Sequence, residues 1–315
     1  MKPPVFGIAS YRADQVVRTA LVLSGQLFDL REVWRFICAG EAPPAWVEQS
    51  IADLLQHWQE VEPPLRRLAE RACAVGTQQI LASAARPMNA IAPPLIPARI
   101  FCAASNYIEH ANEMGTALAA KASSRPYMFL KTASSVIGPN DTVRIPPETK
   151  TPDWEVELAA VIGRRARRVS AEQALDFVAC YTIVNDVSAR DLTRRTDYPF
   201  KHDWFQGKNH DTFCPIGPWL VPARFVPDPQ NLRLRLSVNG EWMQDGNTAV
   251  MIWTLREQLA YLSTIVTLMP GDVIATGTPT GVGMGRGVFL KPGDVMVAEV
   301  EGLGEIRNPV EAEVL

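Results

Sequence analysis

Glu155 and Glu157 stand two residues apart in the stretch DWEVELAAVIG. On a strand, Trp154, Val156 and Leu158 point to one face and the two carboxylates point together to the other. Like charges on neighbouring same-face positions repel, and burying them unpaired is costly, so the pattern calls for a compensating positive charge. A third carboxylate, Asp186, follows Asn185 near the end of the apolar run YTIVNDV, and one strand, helix and strand would bring all three together. Three acidic oxygens with no matching His or Cys ligands suit a hard cation, Mg²⁺ with Mn²⁺ or Ca²⁺ as alternatives, rather than zinc. Mg²⁺ keeps several waters, which leaves room for a bidentate ligand. The spacing alone equally fits an amphipathic strand whose acidic side faces solvent.

His110 and Glu113 lie at i, i+3 in SNYIEHANEMG. On a helix they share a face, so the carboxylate can orient the imidazole and make it a general base; a surface ion pair has the same spacing. Lys208, in WFQGKNHDTFCPIGP, is expected in a loop bounded by Gly and Pro. There it is either a solvated charge or a cation that stabilises an enolate or oxyanion as it forms. The loop GTPTGVGMGRG lacks the Gly-Lys-Ser/Thr of a phosphate-binding loop and fails the G-x-G-x-x-G register, which leaves close backbone approach to a small ligand.

These residues need a scaffold, and 315 residues at 47% hydrophobic content are enough to bury a sizeable core. Two β-like runs, residues 5–11 and 19–29, precede helical patterning over 45–74 that is expected to break at Pro63-Pro64. The proline-rich PMNAIAPPLIPARI reads as a linker, which places a small N-terminal α+β domain at 1–98 and a larger, β-rich domain at 99–315. In the larger part, Asn239-Gly240 predicts a type I′ hairpin turn, and Pro-Gly-Asp at 270–272 and 292–294 predicts two strand starts. Ser170 with Gln173 and Thr254 with Glu257 have capping-box spacing and predict two helices, the second burying Leu255, Leu259, Leu262 and Val266. The fold class expected is therefore α+β and β-rich.

A formal charge of −3 from mixed signs gives no polyanion-binding surface, and the Arg164, Arg165, Arg167, Arg168 run reads as a solvated turn; no nucleic-acid partner is expected. Five scattered cysteines without a C-x-x-C pair fit neither a disulfide framework nor a thiolate zinc site, and a reducing cytoplasm is expected. No stretch reads as a signal peptide or as a membrane span.

Taken in order, N-Y-x-x-H-x-x-E, E-x-E, N-D-x-x-x-R-D, G-K-x-x-D-T and G-T-P-x-G-V-G resemble the fumarylacetoacetate hydrolase superfamily over about Phe101 to Val310. The resemblance implies a mixed β-roll or sandwich catalytic domain, a homodimer, and a small N-terminal domain in the longer members. It makes Glu155, Glu157 and Asp186 the metal ligands, His110 the water-activating base, Glu113 its orienting partner and Lys208 the active-site lysine. It also implies that Arg190 faces the substrate, that Gly277 and Thr278 bind it, with Thr278 on its carboxylate, that Thr212 supports the metal shell, and that Lys131 contributes to substrate binding. Two departures stand out: Thr193 replaces the glutamine found in many members, and Ala103 replaces an acidic ligand of the animal namesake enzymes. The bacterial acylpyruvate-cleaving branch is the better match, and KHDWFQGKNHDTFCPIGPWLVP resembles members acting on sugar-derived or aromatic-degradation diketo acids.

The activity this implies is Mg²⁺-dependent hydrolysis of a C–C bond in a 2,4-dioxo acid, giving a 2-oxo acid and a carboxylic acid. The nearest rival is decarboxylation of an oxaloacetate-like acid or isomerisation of a hydroxydienedioate at the same site. A third reading is a non-catalytic protein that binds a 2-oxo acid.

Overall fold

The computed structural model describes residues 6–74, 81–115 and 117–314. Three antiparallel strands open it: β1 (Phe6–Ala13), β2 (Val16–Leu23) and β3 (Gln26–Asp29). Residues 19–29, expected as one run, are cut in two by a turn at Ser24-Gly25, both at positive φ. Helices α1 (Leu30–Ile37), α2 (Ile51–Gln56) and α3 (Trp58–Ala74) follow. The helix break falls at His57 and not at Pro63-Pro64, both of which lie inside α3. The prolines sit near its start and forfeit only the bonds to the Gln59 and Glu60 carbonyls, while Val61, Leu65 and Leu68 keep the helix on the core. The expected linker holds two short strands, β4 (Ala85–Arg86) and β5 (Ile91–Ala92); β5 pairs with β1, and Pro94 accepts a hydrogen bond from the Ser10 hydroxyl.

The rest of the chain supplies β6 (Ile100–Ala104), α4 (Ile108–Glu113), β7 (Tyr127–Lys131), β8 (Val136–Ile137), β9 (Val143–Ile145), β10 (Pro152–Asp153), β11 (Val156–Ile162), β12 (Val178–Asn185) and β13 (Ser188–Ala189). After them come α5 (Trp204–Lys208), β14 (Cys214–Pro222), β15 (Arg233–Val238), β16 (Glu241–Asn247), α6 (Leu255–Ile265), β17 (Val273–Ala275), α7 (Gly283–Arg286), β18 (Val295–Val300) and β19 (Gly304–Ala312).

Among the described residues one long sheet runs β4-β3-β2-β1-β14-β12-β11-β17-β6-β7, and a second runs β16-β15-β18-β19-β9. The long sheet passes from the N-terminal strands into the larger part through β1 and β14, where Ile8 faces Leu220. One core lies between this sheet and α1–α3, joining Leu54 and Leu65 to Cys102, Val184 and Ile216. A second core fills the space toward the smaller sheet and holds Trp154, Val156, Leu158, Leu236 and Ile306. This is the β-rich α+β architecture expected. No helix among the described residues is long and apolar enough to cross a membrane.

Local signals explain most of the strand ends. Asn239 and Gly240 have φ of 53° and 84°, the paired positive values of a type I′ turn, and join β15 to β16. Gly271 and Gly293, both at positive φ, close the Pro-Gly turns that launch β17 and β18. Thr254 and Glu257 form a full capping box on α6. The other expected cap does not start an α-helix: Ser170 accepts from the Gln173 N–H at 3.4 Å, and only a short 3₁₀ turn, Ala174–Phe177, follows. Strands β11 and β12 pair antiparallel, so they need no helical crossover.

Candidate active site

Glu155 lies immediately before β11, Glu157 is its second residue, and Asp186 follows β12. Because β11 and β12 pair with Val156 opposite Asn185, these three positions fall at one end of the ladder. The junction is pinned locally: Asp186 N–H donates to the Glu155 carbonyl at 2.8 Å, and Glu155 N–H donates to the Asn185 side chain at 2.9 Å. Trp154, Val156 and Leu158 all enter the second core, which turns Glu155 and Glu157 to the opposite side, as the alternation requires. That side is not solvent. Glu155, Glu157 and Asp186 are 5%, 1% and 1% exposed, and one oxygen from each lies within 4.8 Å of the others.

The electrostatics of this cluster are unbalanced. Four buried carboxylates (Asp153, Glu155, Glu157 and Asp186) meet three buried cations (Lys131, Arg190 and Lys208). Arg190 pairs with Asp153 at 2.8 Å and Glu155 at 2.5 Å, and Lys208 Nζ sits 2.7 Å from both Glu155 and Asp186. Burial opposes the charge on Glu155, but Arg190, Lys208 and His110 outweigh it and hold its carboxyl far below the ordinary range. Lys208 likewise keeps its ammonium above the ordinary value against burial, through Asp186 and Glu155. Glu157 is different. Among the described residues no ion pair reaches it, and burial, Asp186 and Glu155 together push its carboxyl well above the usual range. Asp186 Oδ1 has Lys131 Nζ at 2.7 Å, yet off the direction of a hydrogen bond, so it stays unsatisfied. A divalent ion held by Glu155, Glu157 and Asp186 would supply what both lack, and the all-oxygen donor set fits one of the Mg²⁺ or Mn²⁺ type.

This imbalance makes a prediction. Glu157→Gln is expected to leave the metal-free protein at least as stable as the parent, because it removes a repelled charge and keeps an acceptor for the Gly277 N–H. It is also expected to abolish the stabilisation that the ion gives the parent, about 2.7 kcal/mol at an ion concentration 100 times Kd. Thermal unfolding with and without Mg²⁺ reads both, and a variant that gains as much as the parent removes Glu157 from the ion's shell.

Above the carboxylates, α4 presents His110, 5% exposed, with Nδ1 3.5 Å from Glu113 and Nε2 4.0 Å from Glu155. The second ring nitrogen thus faces the cluster, as a base acting there must. Glu113 is itself fixed by the Gly281 N–H at 3.0 Å. Burial opposes its charge, but hydrogen bonding to His110 and to Gly281 keeps its carboxyl below the ordinary value. Lys208 is not in a loop: Asp203 caps the five-residue helix α5, and Lys208 closes it. One turn is too short to show a helical period in sequence.

A cavity of about 740 Å³ opens over this floor, lined among others by His110, Glu155, Arg190, Lys208 and Thr278. Leu118, Ala119 and Arg125 on one side and Arg194, His202 and Trp204 on the other form part of its wall. Three residues expected at the substrate or the metal shell stand elsewhere. Lys131, at the end of β7, is buried beneath Asp186 and also donates to the carbonyls of Val187 and Lys208, so it holds the carboxylate from behind. Gly277 donates its N–H to Glu157 at 2.7 Å. The Thr212 hydroxyl accepts from the Arg144 N–H at 2.8 Å and is spent on the start of β9. Thr278 does reach the cavity, although its hydroxyl already donates to Val156 O and accepts from Gln244.

Gly277 has φ of 98°, and a Cβ there would stand 2.7 Å from Asn106 Cβ. Gly277→Ala is therefore expected to cost about 1–3 kcal/mol and to displace the donor to Glu157. Chemical denaturation checks the first effect and the ion's Kd the second; an unchanged Kd would show that the N–H is dispensable.

Three supporting residues escaped the sequence reading. Asp153 binds Arg190 and accepts from the N–H groups of Gly283 and Met284. Its signal was present, since Asp153, Glu155 and Glu157 alternate. Asn106 ties Thr276 to Trp253 through its amide. Gln244, on β16, accepts from Val156 N–H and donates to Thr278 and Pro279; nothing near it in sequence marks it. Behind the site, burial pushes the Cys214 thiol up to about 12 and Cys102 well above its ordinary value, so neither supplies a thiolate.

The family model described as Fumarylacetoacetate (FAA) hydrolase C-terminal matches residues 99–311. The mitochondrial oxaloacetate tautomerase of Xenopus laevis is 44% identical over 225 residues, covering 71% of this chain and 68% of that protein. The 2,4-didehydro-3-deoxy-L-rhamnonate hydrolase of Sphingomonas sp. (strain SKA58) is 46% identical over 208 residues, covering 65% of this chain and 70% of that one. Among solved structures, fumarylpyruvate hydrolase from Pseudomonas aeruginosa, in complex with Mn²⁺ and pyruvate, superposes with a TM-score of 0.62 at 34% identity, over 68% of this chain and 90% of that one.

Proposed function

Because the chain belongs to the fumarylacetoacetate hydrolase family, whose members act on oxo acids as hydrolases, isomerases and tautomerases, we propose that it catalyses keto–enol tautomerisation of an oxaloacetate-like 2-oxo acid. The observation that carries this reading is the placement of His110 Nε2 4.0 Å from Glu155 Oε1, over a floor that also presents the Lys208 ammonium. A base beside a cation is what moving a proton next to a carbonyl requires.

A divalent ion on Glu155, Glu157 and Asp186 would polarise the 2-oxo group and align the neighbouring carboxylate. The chain's residues do the rest. His110 takes a proton from C3 of the keto acid, and Glu113 holds the imidazole in register. Lys208 gives a hydrogen bond to the oxygen on C2 as negative charge gathers there. Return of the proton from the imidazolium to that oxygen gives the enol, and its return to C3 regenerates the keto acid. The same groups run in reverse, with no net consumption of a proton.

Support for this direction over C–C hydrolysis comes from the tautomerase names among relatives at 42–45% identity. Hydrolysis is the second reading. It is favoured by the rhamnonate-hydrolase relative and by a His110/Glu113 pair so firmly held that it suits activation of water. The test follows enol-to-keto conversion of oxaloacetate by its ultraviolet absorbance, beside product analysis with an acylpyruvate, each with and without chelator. Acceleration of the first, lost on chelation, is expected. Cleavage of the acylpyruvate without any acceleration of oxaloacetate tautomerisation would overturn the proposal in favour of hydrolysis.

The same proposal includes Mg²⁺ as the resident ion, a homodimer, and a boundary near residue 98 between two parts that share one sheet and one core; the family match beginning at residue 99 supports the last. Metal analysis, light scattering and limited proteolysis are the respective checks.

A further inference from the structure

We propose that the loop from Thr280 to Gly285 is a bracket that seats the Glu113 carboxylate and so fixes which nitrogen of His110 carries the proton, with Thr280 and Gly285 as positioning residues. The effect on rate rests on the tautomerisation reading; the place of the imidazole proton does not.

The glycine-dense loop, expected to come close to a small ligand, comes close here to two of the chain's own carboxylates. At one end the Gly281 N–H donates to both oxygens of Glu113, at 3.0 and 3.1 Å. Burial opposes the charge on Glu113, and hydrogen bonds from His110, the Gly281 N–H and the Thr280 side chain together overcome it. At the other end Asp153 accepts from the N–H groups of Gly283 and Met284 at 2.6 and 3.0 Å, and it pairs with Arg190, which also holds Glu155. One loop thus ties the base-bearing helix α4 to the carboxylate floor.

Close packing defines the seat. A Cβ at residue 285 would stand 2.1–2.3 Å from Glu113 Cγ, Cδ and Oε1, so only glycine fits while the carboxylate is in place. Gly283 stands in the same relation to Asp153, whose Oδ1 would lie 2.7 Å from an added Cβ. Thr280 and Gly285 do not line the cavity, so their effect on the reaction passes through Glu113.

The chemistry follows from the proton. Two carboxylates compete for the His110 ring, Glu113 at 3.5 Å from Nδ1 and Glu155 at 4.0 Å from Nε2. An ionised carboxylate only accepts, so the better-seated one decides the tautomer of the neutral ring. With Glu113 held by the loop, Nδ1 carries the hydrogen and Nε2 keeps its lone pair toward the floor, the form a base needs. With Glu113 displaced, the ring is free to turn to the other tautomer, whose Nε2–H points at Glu155 and takes up no proton.

The test reads the ring directly, by nitrogen NMR of the full chain labelled at histidine, with Mg²⁺ and without substrate, the His110 signals being assigned through His110→Ala. The parent is expected to hold the Nδ1–H form. Gly285→Ala, and Thr280→Val, which keeps the side-chain shape and loses the hydroxyl, are each expected to move the population toward Nε2–H. Deuterium incorporation at C3 of a 2-oxo acid is expected to fall about 10- to 100-fold in Gly285→Ala, the usual worth of a residue that orients another, and by less in Thr280→Val. Binding of Mg²⁺ with oxalate is expected to stay unchanged in both. Glu113→Ala removes every atom that the added methyl would meet, so Gly285→Ala is expected to cost nothing further in that background. A further loss there, a loss of oxalate binding, or a tautomer that is Nε2–H in the parent or unmoved in both variants would overturn the proposal. Should Gly285→Ala fail to fold, Thr280→Val decides alone. A tautomer that shifts as expected in a protein that exchanges no proton at C3 refutes the earlier reading and leaves this one standing.

Discussion

Replacing Asp186 by alanine is expected to destabilise the protein by about 3–5 kcal/mol, the cost of leaving a buried charge without its partner. Two ammonium groups depend on this carboxylate: Lys131 at 2.7 Å from Oδ1 and Lys208 at 2.7 Å from Oδ2, 3% and 1% exposed. Neither can turn to water without opening the core. Glu155 still holds Lys208 in the variant, but Lys131 keeps only the carbonyls of Val187 and Lys208. Chemical denaturation is the direct measurement. The informative control is Lys131→Met with Asp186→Ala, which removes the stranded cation and is expected to recover part of the loss. A single variant as stable as the parent would mean that water enters this site freely, and would remove the argument from charge imbalance.

The other large effect is kinetic. His110→Ala is expected to lower the rate of proton exchange at C3 of a 2-oxo acid by roughly 10² to 10⁴, the usual worth of a positioned general base. Deuterium incorporation followed by NMR reads that step alone, whichever product is finally released. Because His110 approaches the three clustered carboxylates only at Glu155, 4.0 Å away, binding of Mg²⁺ with oxalate is expected to persist in the variant. Glu113→Gln keeps the imidazole in place but weakens its orientation, so a smaller loss is expected. Equal collapse of exchange and of oxalate binding in His110→Ala would make the histidine structural.

How much of this was legible beforehand varies with range. Strict alternation with Trp154, Val156 and Leu158, a pattern complete within five residues, put the two carboxylates on one face, while their burial came only with the fold. The His110/Glu113 pair was equally local, and the Asn239-Gly240 turn and the Thr254/Glu257 cap depend on two and four residues. What failed was anything whose meaning comes from a distant partner. Lys131, Gly277 and Thr212 look like residues for a ligand until Asp186, Glu157 and the Arg144 N–H are found against them. Gln244 had no signal, because its value lies in joining Val156 to Thr278 across two sheets. The helix α5 was missed for a different reason: five residues held by one Asp203 cap carry too little periodicity to register.

The continuity of the long sheet through β1 and β14 has a practical consequence. Residues 99–311 carry the family match, which invites expression of that part alone. Such a fragment would bare the flank where Cys102, Val184 and Ile216 now meet Leu54 and Leu65, and would strip β14 of β1 on one side. A greasy surface bordered by unclaimed backbone groups invites self-association, so the short form is expected in inclusion bodies unless something else is supplied to shield it.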